Sequence, residues 1–277
     1  MNKFALSPNS LIGVPALEYI DALVKAGYDG IGLRMYASPG VNYESVTQPV
    51  TGNPAYMRDI KSALASSGLI LYDALSYYMR PNFDLERMLP SLEFTAELGF
   101  PYAMAICDDP DWQRQVDNFG RFCDAVAQLG MTVSMEAPVT QNAVNTLDKA
   151  LKVIEESGRT NAVICLDPLH FYRVGHTAGV LKEHPAELFP YTQIRDGHAL
   201  SGPGVQPGGT GQPAMGKGSV PLSDILDALP ADLPLSIEWS RGRDSEYSAA
   251  QWAKVALDGT RAFMEGYYAS KDPSPGG

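Results

Sequence analysis

Four short apolar runs each end in an acid or an amide: VSME ends in Glu136, ICLD in Asp167, YTQ in Gln193 and LSIE in Glu238. A residue that closes a buried strand sits at the edge of the core, half out of water, so several converging strand ends share one site. Three carboxylates in one partly dry site repel one another unless a cation neutralises them or some take up protons. A divalent metal held by Glu136, Asp167, Gln193 and Glu238 meets that need, and an all-oxygen set suits Mg2+ or Mn2+ better than structural zinc. His170 follows Asp167 by three residues and brings an imidazole to the same place, where it can move a proton. Taken singly, each acid could equally be a helix cap or an ion-pair partner. Their recurrence at four successive strand ends is what favours the metal.

The elements that must position these residues are legible as alternation. Apolar, β-prone runs recur at 3–7, 30–35, 69–77, 102–107, 131–136, 162–167, 191–196 and 233–239. Between them lie helical spacings such as 14–27, 54–68, 84–99 and 111–130, several of which end in glycine, as helices often do. Pro90 falls inside one of these patterns, so that helix is expected to be kinked or split. Eight strand-helix repeats predict an α/β fold, a (β/α)8 TIM barrel in a single domain over 1–269, with 270–277 a disordered tail. A doubly wound open sheet is the rival, but no G-x-G-x-x-G follows the first strand. Residues 199–218, with seven glycines and three prolines, form either a substrate-covering loop or a plain surface excursion.

Composition narrows the partners. Of the 277 residues 45% are hydrophobic, enough for a large core, and the net charge of −11 argues against nucleic acid, whose binding depends on Lys and Arg. Cys107, Cys123 and Cys165 are odd in number and far apart, which suggests neither a disulfide framework nor a zinc-thiolate site. With no apolar stretch of signal-peptide or membrane-span length, the expectation is a cytoplasmic protein with no membrane partner.

VSMEAP, ICLDPLHFYRVG, YTQIRDG, GKGSVPLSDILDAL and LSIEWS together resemble the xylose isomerase-like TIM-barrel superfamily, over nearly the whole chain. That superfamily includes sugar and sugar-phosphate isomerases and epimerases, inosose and 3-dehydroshikimate dehydratases, and endonucleases acting at abasic sites. The resemblance implies that Glu136, Asp167 and Glu238 are metal-binding acids and that His170 is the active-site histidine of the D-x-x-H motif. Gln193 stands where many isomerases and epimerases carry the His of an H-x-x-D stretch; a glutamine there resembles the 3-dehydroshikimate dehydratase branch. Relatives often place an Arg before a P-G-x-G, where this chain has QPAMGKG, so Lys217 is the substitute point charge for a substrate anion. Arg34, Arg173 and His198 are further candidates for substrate binding, with Arg241 and Arg243 also near strand ends, and Asp196 could orient a ligand from behind.

The implied activity is a metal-dependent isomerase or epimerase of a sugar or polyol ketone, by proton abstraction next to a metal-bound carbonyl. Glu136 and Glu238 would then serve as ligands and as proton carriers on opposite faces, with His170 the alternative base. A metal-dependent dehydratase (lyase) of a cyclic hydroxy-ketone is the alternative, favoured by Gln193. An abasic-site endonuclease is remoter, because four histidines are few for a three-metal site, and a non-catalytic sugar-binding barrel also stays open. The expected partner is a small carbohydrate or cyclitol, and barrels of this class often form homo-oligomers.

Overall fold

A computed structural model of the chain describes residues 2–36, 51–199, 212–241 and 245–271. A strand falls on each of the eight expected runs, with β3 extending two residues past its own: β1 (Phe4–Leu6), β2 (Gly30–Arg34), β3 (Ile70–Met79), β4 (Tyr102–Cys107), β5 (Thr132–Glu136), β6 (Ala162–Ile164), β7 (Thr192–Ile194) and β8 (Leu235–Ile237). Every pairing is parallel, in the order β6-β5-β4-β3-β2-β1-β8-β7. The two ends of that order meet through a parallel bridge between Leu166 and Thr192, where the Gln193 amide donates to the Leu166 carbonyl at 2.9 Å. The sheet is therefore a barrel, and because all strands run the same way their C-terminal ends open at one mouth. The strands read as apolar runs because helices cover their outer faces and side chains fill the interior.

The covering helices begin and end where side-chain chemistry dictates. Asn53, Asp84, Asp111 and Thr146 each accept first-turn amides and so start α2 (Pro54–Ser67), α3 (Leu85–Leu98), α4 (Trp112–Gln128) and α5 (Leu147–Ser157). α1 (Ala16–Ala26) ends on Gly27, whose positive φ closes the helix in a left-handed turn that other residues resist. Pro90 does not split α3, which runs unbroken through it. It lies in the second turn, where its missing amide removes only one ladder bond, near the helix start. Between β6 and β8 the helices are short: α6 (Pro168–Arg173), α7 (Ala178–Leu181) and α8 (Leu222–Leu226).

α9 (Ala249–Lys271) packs along α1 and continues two residues into the stretch expected to be a tail; 272–277 lie outside the described residues, as does most of the glycine-rich segment at 199–218. The three cysteines are buried and unpaired. Among the described residues no helix is long and apolar enough to cross a membrane.

Inside the barrel, Leu75, Met104, Cys165 and Tyr191 form a cluster separate from the main core, and polar groups lie among them. The Tyr191 hydroxyl meets Ser134 Oγ at 2.8 Å, and Gln193 Nε2 donates to Asp73 Oδ2 at 3.4 Å. Asp73 is wholly buried on β3, and a Cβ at Gly32 on β2 would collide with its Oδ1, so glycine is required there for the carboxyl to fit. Burial pushes the Asp73 carboxyl up to about 7, an effect that hydrogen bonds from Tyr191 and Gln193 only partly counter.

A carboxyl whose pKa rises on folding favours the fold while protonated, and that contribution is lost as pH climbs from the unfolded value near 4 through about 7. The wild type should therefore lose on the order of 3 kcal/mol between pH 4 and pH 8 from this group. Asp73→Asn should flatten that slope, which denaturant unfolding at both pH values will measure; an unchanged slope would remove Asp73 as its source.

Candidate active site

Parity along the strands decides what reaches the mouth, since residues two apart share a face. Ser134, Cys165, Gln193 and Ser236 are buried at the inner layer, and two residues further on stand Glu136, Asp167, Arg195 and Glu238, all buried. Three carboxylates and one guanidinium thus meet at the ends of β5 to β8.

Asp167 has two jobs. As the cap of α6, its Oδ1 accepts from the amides of Leu169 at 2.8 Å and His170 at 3.0 Å, with Pro168 preset for the first helical position. That tight turn brings the His170 ring back over the cap, with Nε2 at 3.9 Å from Asp167 Oδ2 and 3.7 Å from Glu136 Oε1.

Arg195 was not singled out from the sequence, yet it is the centre of the site. Its Nε lies 2.7 Å from Asp167 Oδ2, its Nη1 donates to Glu238 Oε1 at 2.7 Å, and its Nη2 meets His170 Nε2 at 2.5 Å. Glu238 is held from the other side, where its Oε2 accepts from Ser7 Oγ at 2.9 Å and Asn9 Nδ2 at 3.0 Å. Asn9 Oδ1 in turn accepts from Arg34, which ends β2. The one available signal for Arg195 was its parity with Gln193 at the end of a buried strand.

The electrostatics follow from burial and charge count. Arg195 is pushed down by burial, but Asp167, Glu238 and Glu136 around it raise it further still, so it stays charged. Burial and then Arg195 hold His170 well below the usual imidazole range, so the ring is neutral. Because an arginine N–H can only donate, His170 Nε2 is the acceptor and the ring proton belongs on Nδ1. Glu136 is the acid that the guanidinium does not bridge. Burial, followed by the charges of Glu238 and Asp167, pushes its carboxyl well above the ordinary range.

Does such a site suit a metal ion? Glu136, Asp167 and His170 each offer a ligand atom, all within 4.8 Å of one another. Three acids against one guanidinium leave surplus negative charge, and Asp167 Oδ2, although ion-paired, receives no aligned hydrogen bond. A carboxylate oxygen has two lone pairs, and Asp167 Oδ2 meets only Arg195, so it can still take a cation and these residues fit a divalent ion. Over them lies a cavity of about 210 Å³, lined by Arg34, Tyr78, Glu136, His170, Arg195 and Glu238 among others. Its size suits a small polar molecule.

The structure brings Glu136, Asp167, His170, Glu238 and Arg34 together and leaves other candidates apart. Gln193 faces Asp73 inside the barrel, and its Oε1 has no hydrogen-bond partner. Arg173 Nε donates to the His198 carbonyl at 3.0 Å, while the exposed His198 ring meets Ser219 Oγ at 3.2 Å. Lys217 is exposed on a surface turn. Asp196 accepts from the amides of Gly197, Gly218 and Val220, which pins the GKGSV backbone. Arg241 donates to the Tyr247 carbonyl, and Arg243 lies outside the described residues.

Asp167→Ala removes both the cap of α6 and the partner of a buried guanidinium, and should cost on the order of 3–5 kcal/mol in denaturant unfolding. Asp167→Asn keeps a capping oxygen and should cost less; equal losses would mean that the cap contributes nothing.

The family model for xylose isomerase-like TIM barrels matches residues 20–263. Among solved structures, the chain superposes on the IolI protein with a bound zinc atom (TM-score 0.77, 17% identity, 96% of this chain and 99% of that one). It also superposes on an L-ribulose 3-epimerase (0.68, 18%, 100% and 99%) and on the probable 3-DHS dehydratase AsbF of Bacillus anthracis (0.69, 16%, 94% and 98%). It spans 45% of a longer xylose isomerase-like TIM barrel/4-hydroxyphenylpyruvate dioxygenase fusion protein (0.78, 16%, 100% of this chain). A search of curated proteins returns no match. At these identities the superpositions establish the fold, and the matched family model establishes the membership: the chain belongs to the xylose isomerase-like TIM-barrel family.

Proposed function

We propose that the chain is a divalent-metal-dependent isomerase or epimerase of a small sugar or polyol ketone, acting by proton transfer at the carbon beside a carbonyl. The observation that carries this reading is the pair Glu136 and Glu238, buried acids from strands three apart round the barrel that face one small cavity. Acids approaching from different sides can remove a proton from one face of a substrate and return one to the other.

Glu136, Asp167 and His170 would hold the ion, with Mn2+ or Mg2+ the candidates. Gln193 would complete the set through Oε1, which has no hydrogen-bond partner, while its Nε2 donates to Asp73. A divalent ion held there would polarise the substrate's carbonyl and neutralise the charge that develops as the neighbouring carbon loses its proton. Glu136 would give one carboxylate oxygen to the ion and keep the other to take up the substrate proton. Glu238, steadied by Ser7, Asn9 and Arg195, is oriented to work from the other side, and Arg34, in the same cavity wall, can orient a substrate hydroxyl. A proton returned to the same carbon gives an epimer, and one returned to the next carbon gives an isomer.

The similar folds of the L-ribulose 3-epimerase and of the probable 3-DHS dehydratase support a hydroxy-carbonyl substrate class in common. Loss of a β-hydroxyl in place of proton return would make the chain a dehydratase, with the same first step.

Incubation with Mn2+ in D2O and a panel of ketoses should place deuterium beside the carbonyl without loss of water. Release of water from 3-dehydroshikimate with a new conjugated chromophore would transfer the assignment to the dehydratase class, and exchange with neither would contradict both. Glu136→Gln should lower exchange about 100- to 10,000-fold while leaving circular dichroism unchanged.

A further inference from the structure

Arg195 presents a conflict with the metal reading that the geometry resolves in one way. Its Nη2 occupies His170 Nε2 at 2.5 Å, and a neutral imidazole with its proton on Nδ1 has a single acceptor lone pair. That lone pair cannot serve an arginine N–H and a metal ion together. Carboxylate oxygens are less exclusive, because each has two lone pairs, so Asp167 and Glu238 can keep a guanidinium contact while taking another partner.

We propose that Arg195 is a resident cation that competes with the divalent ion for the acidic cluster and withdraws from His170 Nε2 when the ion binds. The space for that movement is present: Arg195 lines the mouth cavity together with Glu238, its partner at 2.7 Å. Retaining Glu238 while releasing His170, the guanidinium turns donors toward the cavity, where a substrate's hydroxyl or carbonyl oxygens lie. Metal occupancy and substrate recognition are thereby coupled through one side chain. Without the ion, the same guanidinium offsets part of the charge of three buried acids, a role that costs no extra ligand. Arg195 is on this account a positioning residue and not a proton carrier. The inference rests on the metal reading of the same cluster.

The test is calorimetric titration of MnCl2 into metal-stripped wild type, Arg195→Met and Arg195→Lys, with melting temperatures recorded with and without Mn2+. Removal of a like charge a few ångströms from the ion should tighten Mn2+ binding at least about tenfold in Arg195→Met. The metal-stripped variant should melt lower than wild type and recover more on adding Mn2+. Lysine cannot span Asp167, Glu238 and His170 at once, so Arg195→Lys should fall between the two, and it carries the test alone if the methionine variant does not fold. Mn2+ binding by wild type that is no weaker than in either variant would overturn the competition and leave the metal reading standing. Absence of stoichiometric Mn2+ binding in all three proteins would overturn both.

Discussion

Three buried acids, Glu136, Asp167 and Glu238, crowd round one guanidinium that bridges only Asp167 and Glu238, and much of the local structure makes that arrangement tolerable. Burying a charge without a partner costs several kcal/mol, so each acid must find a donor or take up a proton. Glu238 finds Ser7, Asn9 and Arg195; Asp167 spends one oxygen on the cap of α6 and sets the other against Arg195. Glu136 is left over, which is why its carboxyl is pushed upward and why the site remains receptive to a further cation. The same contacts also hold the barrel shut. β6 and β7 meet through the single bridge at Leu166 and Thr192, and the Arg195–Asp167 ion pair crosses that seam at the mouth.

Beneath the mouth lies a second polar layer. Asp73, Tyr191, Ser134 and Gln193 occupy positions that an ordinary barrel core would give to branched aliphatic residues. Asp73 Oδ1 and Gln193 Oε1 lack partners, so this layer is only partly satisfied. It supports the site from below: Gln193 and Arg195 are two residues apart on β7 and its exit, one held by the interior carboxyl and the other by the mouth carboxylates.

The fold was legible because a parallel barrel buries its strands on both faces, so each appears as a short apolar run with no need to resolve alternation. Helix ends were legible from glycines such as Gly27, whereas the caps that start the helices, Asn53 and Asp84 among them, are identified by their first-turn contacts in the structure. Pro90 does not split its helix, since one turn from the start a missing amide removes little. At the site, Glu136, Asp167, His170 and Glu238 were visible as acids and an imidazole at strand ends. Arg195 was not, because an arginine near a strand end reads by default as surface charge; its burial depends on acids from three other segments that no local pattern connects. Gln193 is legible as the amide that ends a strand and by its place in Q-x-x-D; the partner of its Nε2, Asp73, is hidden within the apolar run of β3. Arg173 and His198 are expected from their place near strand ends and Lys217 from the resemblance around QPAMGKG, and none of the three is among the residues that line the cavity.

The central claim, that this mouth is an acid cluster built around one exchangeable cation position, is tested most directly by anomalous diffraction from crystals soaked in Mn2+. The account predicts an ion at about 2.0–2.3 Å from Glu136, Asp167 and His170, with Arg195 withdrawn from Nε2 and still paired with Glu238. An ion bound elsewhere, or an ion-free cluster with Arg195 still bridging Asp167, Glu238 and His170, would contradict it.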